Sequence, residues 1–251
     1  MDNDYGAYGI FARFYDEFTE NIDYEQRGRY FESLIKKFGG NNGGTLLDLA
    51  CGTGSLSEVM SKSGFNVIAS DISEDMLAAA EQKKIKSGSD ILYIKQDMTD
   101  FLLPGPVDIV ICALDSLNHL DGIGEIEKTF VCVNKALEKS GLFIFDMNSI
   151  YKHRELLGNN RFVYEREDVF FVWQNEYDNG KVDMYLDFFI PVGEEMYERY
   201  SEDITEIAYE PDEITSLLEK TGFEPLAVYG DDSFEKAYER TERLIFTARK
   251  K

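Results

Sequence analysis

The segment Leu46-Leu47-Asp48-Leu49-Ala50-Cys51-Gly52-Thr53-Gly54-Ser55-Leu56-Ser57 decides the fold. Its first half is a short apolar run, the length of a buried strand, and its second half opens a helical period. The glycines between them let the backbone turn tightly and let a ligand lie against main-chain N–H groups. Downstream the same alternation repeats. Apolar runs at 66–70, 91–95, 107–113 and 141–146 predict four more strands. Helical periods at 55–62, 74–86 and 125–138 predict the helices between them, with Ser73 as an N-cap. Short apolar strands alternating with helices require a mostly parallel sheet covered on both faces.

Upstream, Tyr8, Phe11, Phe14, Tyr15 and Phe18 recur at spacings of three and four and predict an aromatic helix. A second helical run passes through Tyr30, Phe31, Leu34, Ile35 and Phe38 before the break at 39–44. Beyond the fifth strand the period changes. Val182, Met184, Leu186, Phe188 and Ile190 alternate strictly, and Asp178-Asn179-Gly180 before them is a hairpin signal. Phe170-Phe171-Val172-Trp173 lies on the preceding strand. The helical pattern returns at Pro211, runs through Ile214, Leu217 and Leu218, and stops at Gly222. Two last strands are expected at 223–229 and 243–248. The expected fold is α/β. It has a Rossmann-like, seven-stranded, mostly parallel sheet with helices on both faces, and a small antiparallel sheet inserted after the fifth strand. Residues 1–155 and 208–251 form the main unit with a helical N-terminal cap, and 156–207 form the insertion.

Composition narrows the chemistry. The 251 residues carry 26 Lys and Arg against 48 Asp and Glu, a formal net charge of −22. A field of that sign repels polyphosphate backbones and disfavours nucleic acid as a partner. Cys51, Cys112 and Cys132 form no CxxC pair, and the sequence holds two histidines, so no metal site is expected. Cys112 sits in an apolar run and reads as a small buried hydrophobe. The acidic start of the chain lacks the apolar core of a leader, and no stretch approaches the roughly 20 apolar residues of a membrane span. The cytoplasm is the expected location, with no membrane partner.

G-x-G alone also fits a plain strand-to-helix turn. A dinucleotide site would want G-x-G-x-x-G, and the third position is Ser57, which weighs against a nicotinamide-dependent oxidoreductase. Asp71 ends the second strand, 23 positions beyond Asp48. A carboxylate there is placed to accept hydrogen bonds from both hydroxyls of a ribose; a helix-capping role is the alternative.

With these residues in place, the sequence resembles the class I S-adenosylmethionine-dependent methyltransferases. The resemblance is carried by LLDLACGTGSLS (46–57), ASDISEDML (69–77), IKQDMTDF (94–101) and VDIVICALDSLNHL (107–120). YGIFARFYDEFTENIDY (8–24), NSIYKH (148–153) and PDEITSLLEKTGFE (211–224) resemble a subgroup that includes glycine N-methyltransferase-like and nucleotide-amino-sugar N-methyltransferase-like enzymes. The resemblance implies S-adenosylmethionine as cofactor. It implies main-chain contacts at Ala50, Gly52 and Gly54, with Asp71 on the ribose and Ile72 and Met76 beside it. Gln96, Asp97 and Met98 flank the adenine, and Leu114 follows the fourth strand. Asp48 orients the glycine turn or meets the cofactor's ammonium. Tyr8, Phe11 and Tyr15 share a helical face that suits a sulfonium by cation–π contact, while Phe14 and Phe18 serve packing.

Methyl transfer from a sulfonium mainly requires an acceptor lone pair held in line. Asp115 and His119 follow the fourth strand, where an acceptor approaches, and are the candidate catalytic residues: a carboxylate orients an amine, and an imidazole takes its proton. A pocket-lining role is the alternative for His119. The expected acceptor is a small molecule bearing an amine. Lys152, Arg154 and Arg161 would instead suit a phosphate-bearing acceptor. His153 reads as part of a solvated helix, and Lys83, Lys84 and Lys86 as a solvated face. The inserted sheet, with Trp173 and Phe170, covers a pocket or forms a dimer face, so the protein is expected as a monomer or homodimer. Aminopropyl transfer on the same scaffold and a non-catalytic cofactor-binding module are the competing readings.

Overall fold

The computed structural model describes residues 9–193 and 196–251. The chain runs α1 (Gly9–Phe18), α2 (Tyr24–Lys37), β1 (Thr45–Leu49), α3 (Ser55–Lys62), β2 (Asn66–Asp71), α4 (Glu74–Ser87), β3 (Leu92–Lys95), β4 (Val107–Cys112), α5 (Ile123–Ala136) and β5 (Leu137–Asn148). It continues with β6 (Arg161–Glu165), β7 (Phe170–Asp178), β8 (Lys181–Pro191), β9 (Tyr197–Ile207), α6 (Pro211–Lys220), β10 (Phe223–Gly230) and β11 (Arg243–Lys250).

Seven strands form one sheet in the order β10-β11-β5-β4-β1-β2-β3. β3, β2, β1, β4 and β5 pair in parallel, while β11 inserts antiparallel between β5 and β10. Because strand side chains alternate, each strand feeds two cores. Leu47, Val110, Phe143 and Phe246 meet Phe130 of α5 and Leu218 of α6 on one face. Leu46, Ile111, Ile144 and Ile245 meet Phe31 and Leu34 of α2 and Met60 of α3 on the other. Near-continuous apolar runs are what two covered faces demand. The fifth strand is longer than the sequence pattern suggests, because its first residues, from Leu137, pair with Val107 across a bulge.

The second sheet is four-stranded and antiparallel, in the order β6-β7-β8-β9. Asn179 and Gly180, both at positive φ (48° and 89°), close the β7–β8 hairpin between paired Asp178 and Lys181. Two left-handed residues match the twist of the flanking strands. Val182, Met184, Leu186 and Phe188 bury one face of this sheet against α1. Phe14 stacks on Phe188 at 6.3 Å between centroids, and Phe18 packs on Phe171 at 4.4 Å. Phe11 also turns to Phe188, so it belongs to this core as well as to the aromatic face read from its spacing. Among the described residues no helix is long and apolar enough to cross a membrane.

Candidate functional site

The carboxyl end of β1 opens into a small cleft bounded by Tyr15, Asp48, the 50–55 loop and Leu114. Such a crevice at the strand ends is where open α/β sheets take ligands. Three residues of the loop, Ala50, Gly52 and Gly54, have φ between 53° and 74°. The two glycines differ in what surrounds them. A Cβ at Gly52 meets nothing within 4 Å, whereas one at Gly54 lies 2.4 Å from the Tyr93 hydroxyl. Gly54 is thus required by packing and Gly52 by its backbone angle at the open cleft.

Two carboxylates stand at this loop. Asp71 accepts from Gly52 N at 2.8 Å and Ser73 N at 2.9 Å, so it shapes the loop from the end of β2. Burial pushes its carboxyl up, opposed by the N–H groups of Ser73, Gly52 and Ile72. Asp48 is almost fully buried and accepts from Ser57 Oγ at 2.5 Å. Burial pushes Asp48 up to about 7, against the Ser57 hydrogen bond and with help from Asp71. The serine that breaks the dinucleotide pattern therefore serves the carboxylate behind the glycine turn.

Lys83 is not part of a solvated face. From α4 it reaches back across the loop, with Nζ at 2.7 Å from Asp16 Oδ2, 2.8 Å from Thr53 Oγ1 and 2.7 Å from Ser55 Oγ. Thr53 in turn donates to Asp16 at 2.7 Å. This cluster ties α1 to the glycine loop, and the sequence gives no local sign of it because lysines on helices usually point to water.

Ile72 is exposed beside Asp71, and Met76 is buried under the start of α4. The side chain of Gln96 is committed at both ends to Leu102, accepting from its N at 2.7 Å and donating to its O at 2.9 Å. Asp97 accepts from Thr99 N at 2.8 Å, and Met98 packs against the core beneath α5. Tyr15 lines the cleft and Tyr8 lies outside the described residues.

The other wall follows β4. Leu114 and Asp115 are consecutive left-handed residues, φ 60° and 55°, a conformation that side chains with a Cβ adopt only when held. Asp146 of β5 holds them: its fully buried carboxylate accepts from Leu114 N at 2.9 Å and Asp115 N at 2.7 Å. It also pairs with Arg27 at 2.8 Å and with Arg243. Arg243 bridges on to Asp115 Oδ1 at 2.6 Å. Burial opposes the charge on Arg243, but Asp146 and Asp115 outweigh it and raise the guanidinium further. Asn118, fully buried, ties the following turn to the Asn148 backbone and to Ile207 O at 2.9 Å.

His119 Nε2 lies 4.0 Å from Asp115 Oδ2 and 3.8 Å from Glu206 Oε1. The structure thus brings both candidate catalytic residues together with a third group that sequence reading did not single out. Glu206 sits on β9 and no local motif marks it. His153 was expected on a solvated helix and is instead fully buried, in a π-helical turn at Lys152–Leu157. Its Nδ1 faces Gly180 O at 2.8 Å and its Nε2 faces Glu206 Oε2 at 3.0 Å. Burial acts to raise Glu206, yet the His153 hydrogen bond, the His119 and His153 charges and Asn148 hold it well below the usual carboxylate range. Lys152 turns inward to Asn148 Oδ1 at 2.8 Å, and burial beside Arg243 pushes its ammonium down. Arg154, exposed, pairs with Glu155, and Arg161 is exposed on β6, so the three basic residues do not converge.

The residues fit the cofactor that the sequence resemblance implies. Left-handed loop positions leave an open cradle at Gly52, and two buried carboxylates, Asp48 and Asp71, stand at the loop with the negative charge that ribose hydroxyls and an ammonium group seek. Comparison with known proteins agrees. Residues 46–141 match the model of a methyltransferase domain. The chain is 32% identical over 246 residues to a putative methyltransferase, YqeM, of Bacillus subtilis (strain 168), covering 97% of both chains. An S-adenosylmethionine-dependent methyltransferase from Clostridium acetobutylicum ATCC 824 superposes with a TM-score of 0.87 at 32% identity, covering 97% of this chain and 98% of that one. A glycine/sarcosine N-methyltransferase of Halorhodospira halochloris matches at 30% identity over 142 residues, 54% of this chain and 52% of that protein. The glycine turn at the end of β1, the sheet order and full-length similarity to such enzymes lead to one assignment: the chain belongs to the class I S-adenosylmethionine-dependent methyltransferases.

Proposed function

We propose that this enzyme methylates a small molecule at an amine nitrogen, with Asp115 and His119 at the acceptor. The observation that carries this reading is the meeting of Asp115, His119 and Glu206, whose ligand atoms lie within 4.8 Å of one another beside the cleft. Arg243 already clamps Asp115 and His153 already clamps Glu206, so the cluster reads as a paired polar network around an imidazole. Two carboxylates favour a cationic amine, and an imidazole is suited to take its proton. The partial match to a glycine/sarcosine N-methyltransferase supports the same atom class. The charge of −22 supports small molecules over nucleic acid.

Bound S-adenosylmethionine supplies an electrophilic methyl group. In this reading Ala50, Gly52 and Gly54 offer main-chain contacts and Asp71 takes the ribose. Ile72 and Met76 lie beside Asp71, and Gln96, Asp97 and Met98 flank the adenine. Tyr15, Tyr8 and Leu114 close the sulfonium side. Residues 1–155 and 208–251 act as the cofactor-binding unit, 156–207 as an inserted unit, and the protein works in the cytoplasm as a monomer or homodimer. The test is a screen for S-adenosylhomocysteine release with amines, amino acids, hydroxyl compounds and nucleotide sugars. Methyl groups found on oxygen or carbon alone would end the amine reading.

Asp48 adds a pH prediction. Without ligand it keeps its proton below about 7, chiefly through burial. A cofactor ammonium favours the carboxylate, so binding releases a proton below that value and affinity rises with pH until about 7 is passed. Between pH 6 and 7.5, S-adenosylhomocysteine should bind roughly five- to tenfold more tightly at the upper end. Asp48→Asn should flatten this slope. Calorimetry in buffers of different ionisation enthalpy checks both, and a flat wild-type profile would remove Asp48 from the ammonium site.

A further inference from the structure

Two carboxylates, one from the turn after β4 and one from β9, stand around the same ring nitrogen, and each has one oxygen occupied. Asp115 Oδ1 is held by Arg243 at 2.6 Å, leaving Oδ2 toward His119 Nε2. Glu206 Oε2 is held by His153 at 3.0 Å and by Asn148 Nδ2 at 2.8 Å, leaving Oε1 toward the same nitrogen. Glu206 comes from the antiparallel sheet, 87 positions after His119 in the chain.

We propose that Glu206 is a positioning residue for methyl transfer, through which the antiparallel sheet sets the His119 imidazole at the acceptor. The proposal rests on the reading that the acceptor meets Asp115 and His119. His153 is the clamp. Its Nδ1 faces a carbonyl, which can only accept, so Nδ1 carries a proton. Its Nε2 faces Glu206 Oε2 at 3.0 Å, and Asn148 Nδ2 donates to the same oxygen at 2.8 Å. His153, fully buried, is thus held between the Gly180 carbonyl and the Glu206 carboxylate, and a buried hydrogen-bonded pair of this kind fixes geometry because breaking it strands a polar group. The clamp fixes Oε2, and the carboxylate plane then fixes Oε1. The distances of 3.8 Å and 4.0 Å to His119 are spanned by a small ring rotation. A proton taken by His119 from an ammonium acceptor would be stabilised from both sides.

The charged groups facing this pair are Asp115 from the turn after β4, Lys152 and His153 from the π-helical turn, Asp146 from β5 and Arg243 from β11. None of them other than Asp115 and Glu206 directs a carboxylate oxygen at His119 Nε2 among the described residues.

The sequence contains two histidines, so nitrogen NMR of the full chain labelled on histidine reports both rings without overlap. His119→Asn and His153→Asn assign the signals. In the wild type, His153 Nδ1 should carry a proton, because it faces the Gly180 carbonyl. In Glu206→Gln the ring-nitrogen shifts of both histidines should move, those of His153 because its Nε2 loses the carboxylate and those of His119 because the carboxylate beside its Nε2 is gone. Glu206→Asp, with charge retained, should restore part of the His119 change. A wild-type His153 with a bare Nδ1 overturns the proposal without any variant, because the ring has then left its clamp. Unchanged His119 signals in folded Glu206→Gln also overturn it. The acceptor reading fails separately: His119 coupled to Glu206, but full turnover of an identified amine by His119→Asn, removes His119 from the reaction.

Discussion

Asp146→Ala is expected to lower the unfolding free energy by about 3–5 kcal/mol, the cost of removing one partner from a buried charge cluster. The carboxylate is fully buried and receives Arg27, Arg243 and the N–H groups of Leu114 and Asp115. Alanine leaves two guanidinium groups facing each other with one counter-charge fewer. Arg27 keeps Asp232 at 2.9 Å and Arg243 keeps Asp115 at 2.6 Å, which sets the upper end of the loss. A folded domain has roughly 5–15 kcal/mol in total, so the variant should melt far below the wild type. The two left-handed residues lose their anchor as well, so turnover should fall even in the folded fraction. Asp146→Asn keeps an acceptor oxygen for one N–H group and should be less damaging. Urea unfolding of both variants is the check. A loss under about 1 kcal/mol for Asp146→Ala would mean that the arginines re-pair elsewhere and that Asp146 does not organise the turn.

Asp71→Ala is expected to weaken S-adenosylhomocysteine binding by roughly 10- to 100-fold. A lost hydrogen bond to a charged acceptor costs about 1.5–3 kcal/mol, and each 1.4 kcal/mol is a factor of ten. The structure adds a second route to the same result. Asp71 also holds Gly52 N at 2.8 Å, so its removal loosens the loop that carries the main-chain contacts. Asp71→Asn separates the two, because an amide oxygen can still accept from Gly52 N. Calorimetry on variants shown by circular dichroism to be folded gives the comparison. An unchanged dissociation constant in Asp71→Ala would move the ribose elsewhere.

The parts of the molecule legible in the sequence are those fixed by local period and local turn chemistry. The apolar run and glycines at 46–54, the Ser73 cap, the alternation at 182–190 and the Asn179-Gly180 turn each state their structure within a few residues. Asp48, Asp71, Asp115 and His119 could be placed because they lie at strand ends or in the turn just after one. What the sequence left hidden depends on pairings between distant segments. Glu206 and His153 are 53 positions apart and meet only because β9 returns beside the carboxyl end of β5. Lys83 looks like any solvated helical lysine until α1 lays Asp16 across the glycine loop. The antiparallel entry of β11 between β5 and β10 follows from the order of chain return, which no period encodes.

The chain has one tryptophan, and Trp173 lies in the middle of β7, half-buried, with its ring on Phe162 and its Nε1 donating to Asn175. Its emission is therefore a local gauge of the antiparallel sheet, while far-ultraviolet circular dichroism averages every helix and strand. α1 is bonded to both units, to the antiparallel sheet through Phe11 N to Glu202 at 2.9 Å and to α4 of the main unit through Asp16 to Lys83. That double attachment should make the two signals fall together on heating. An emission change several degrees ahead of the dichroism would show that the insertion melts as a unit of its own.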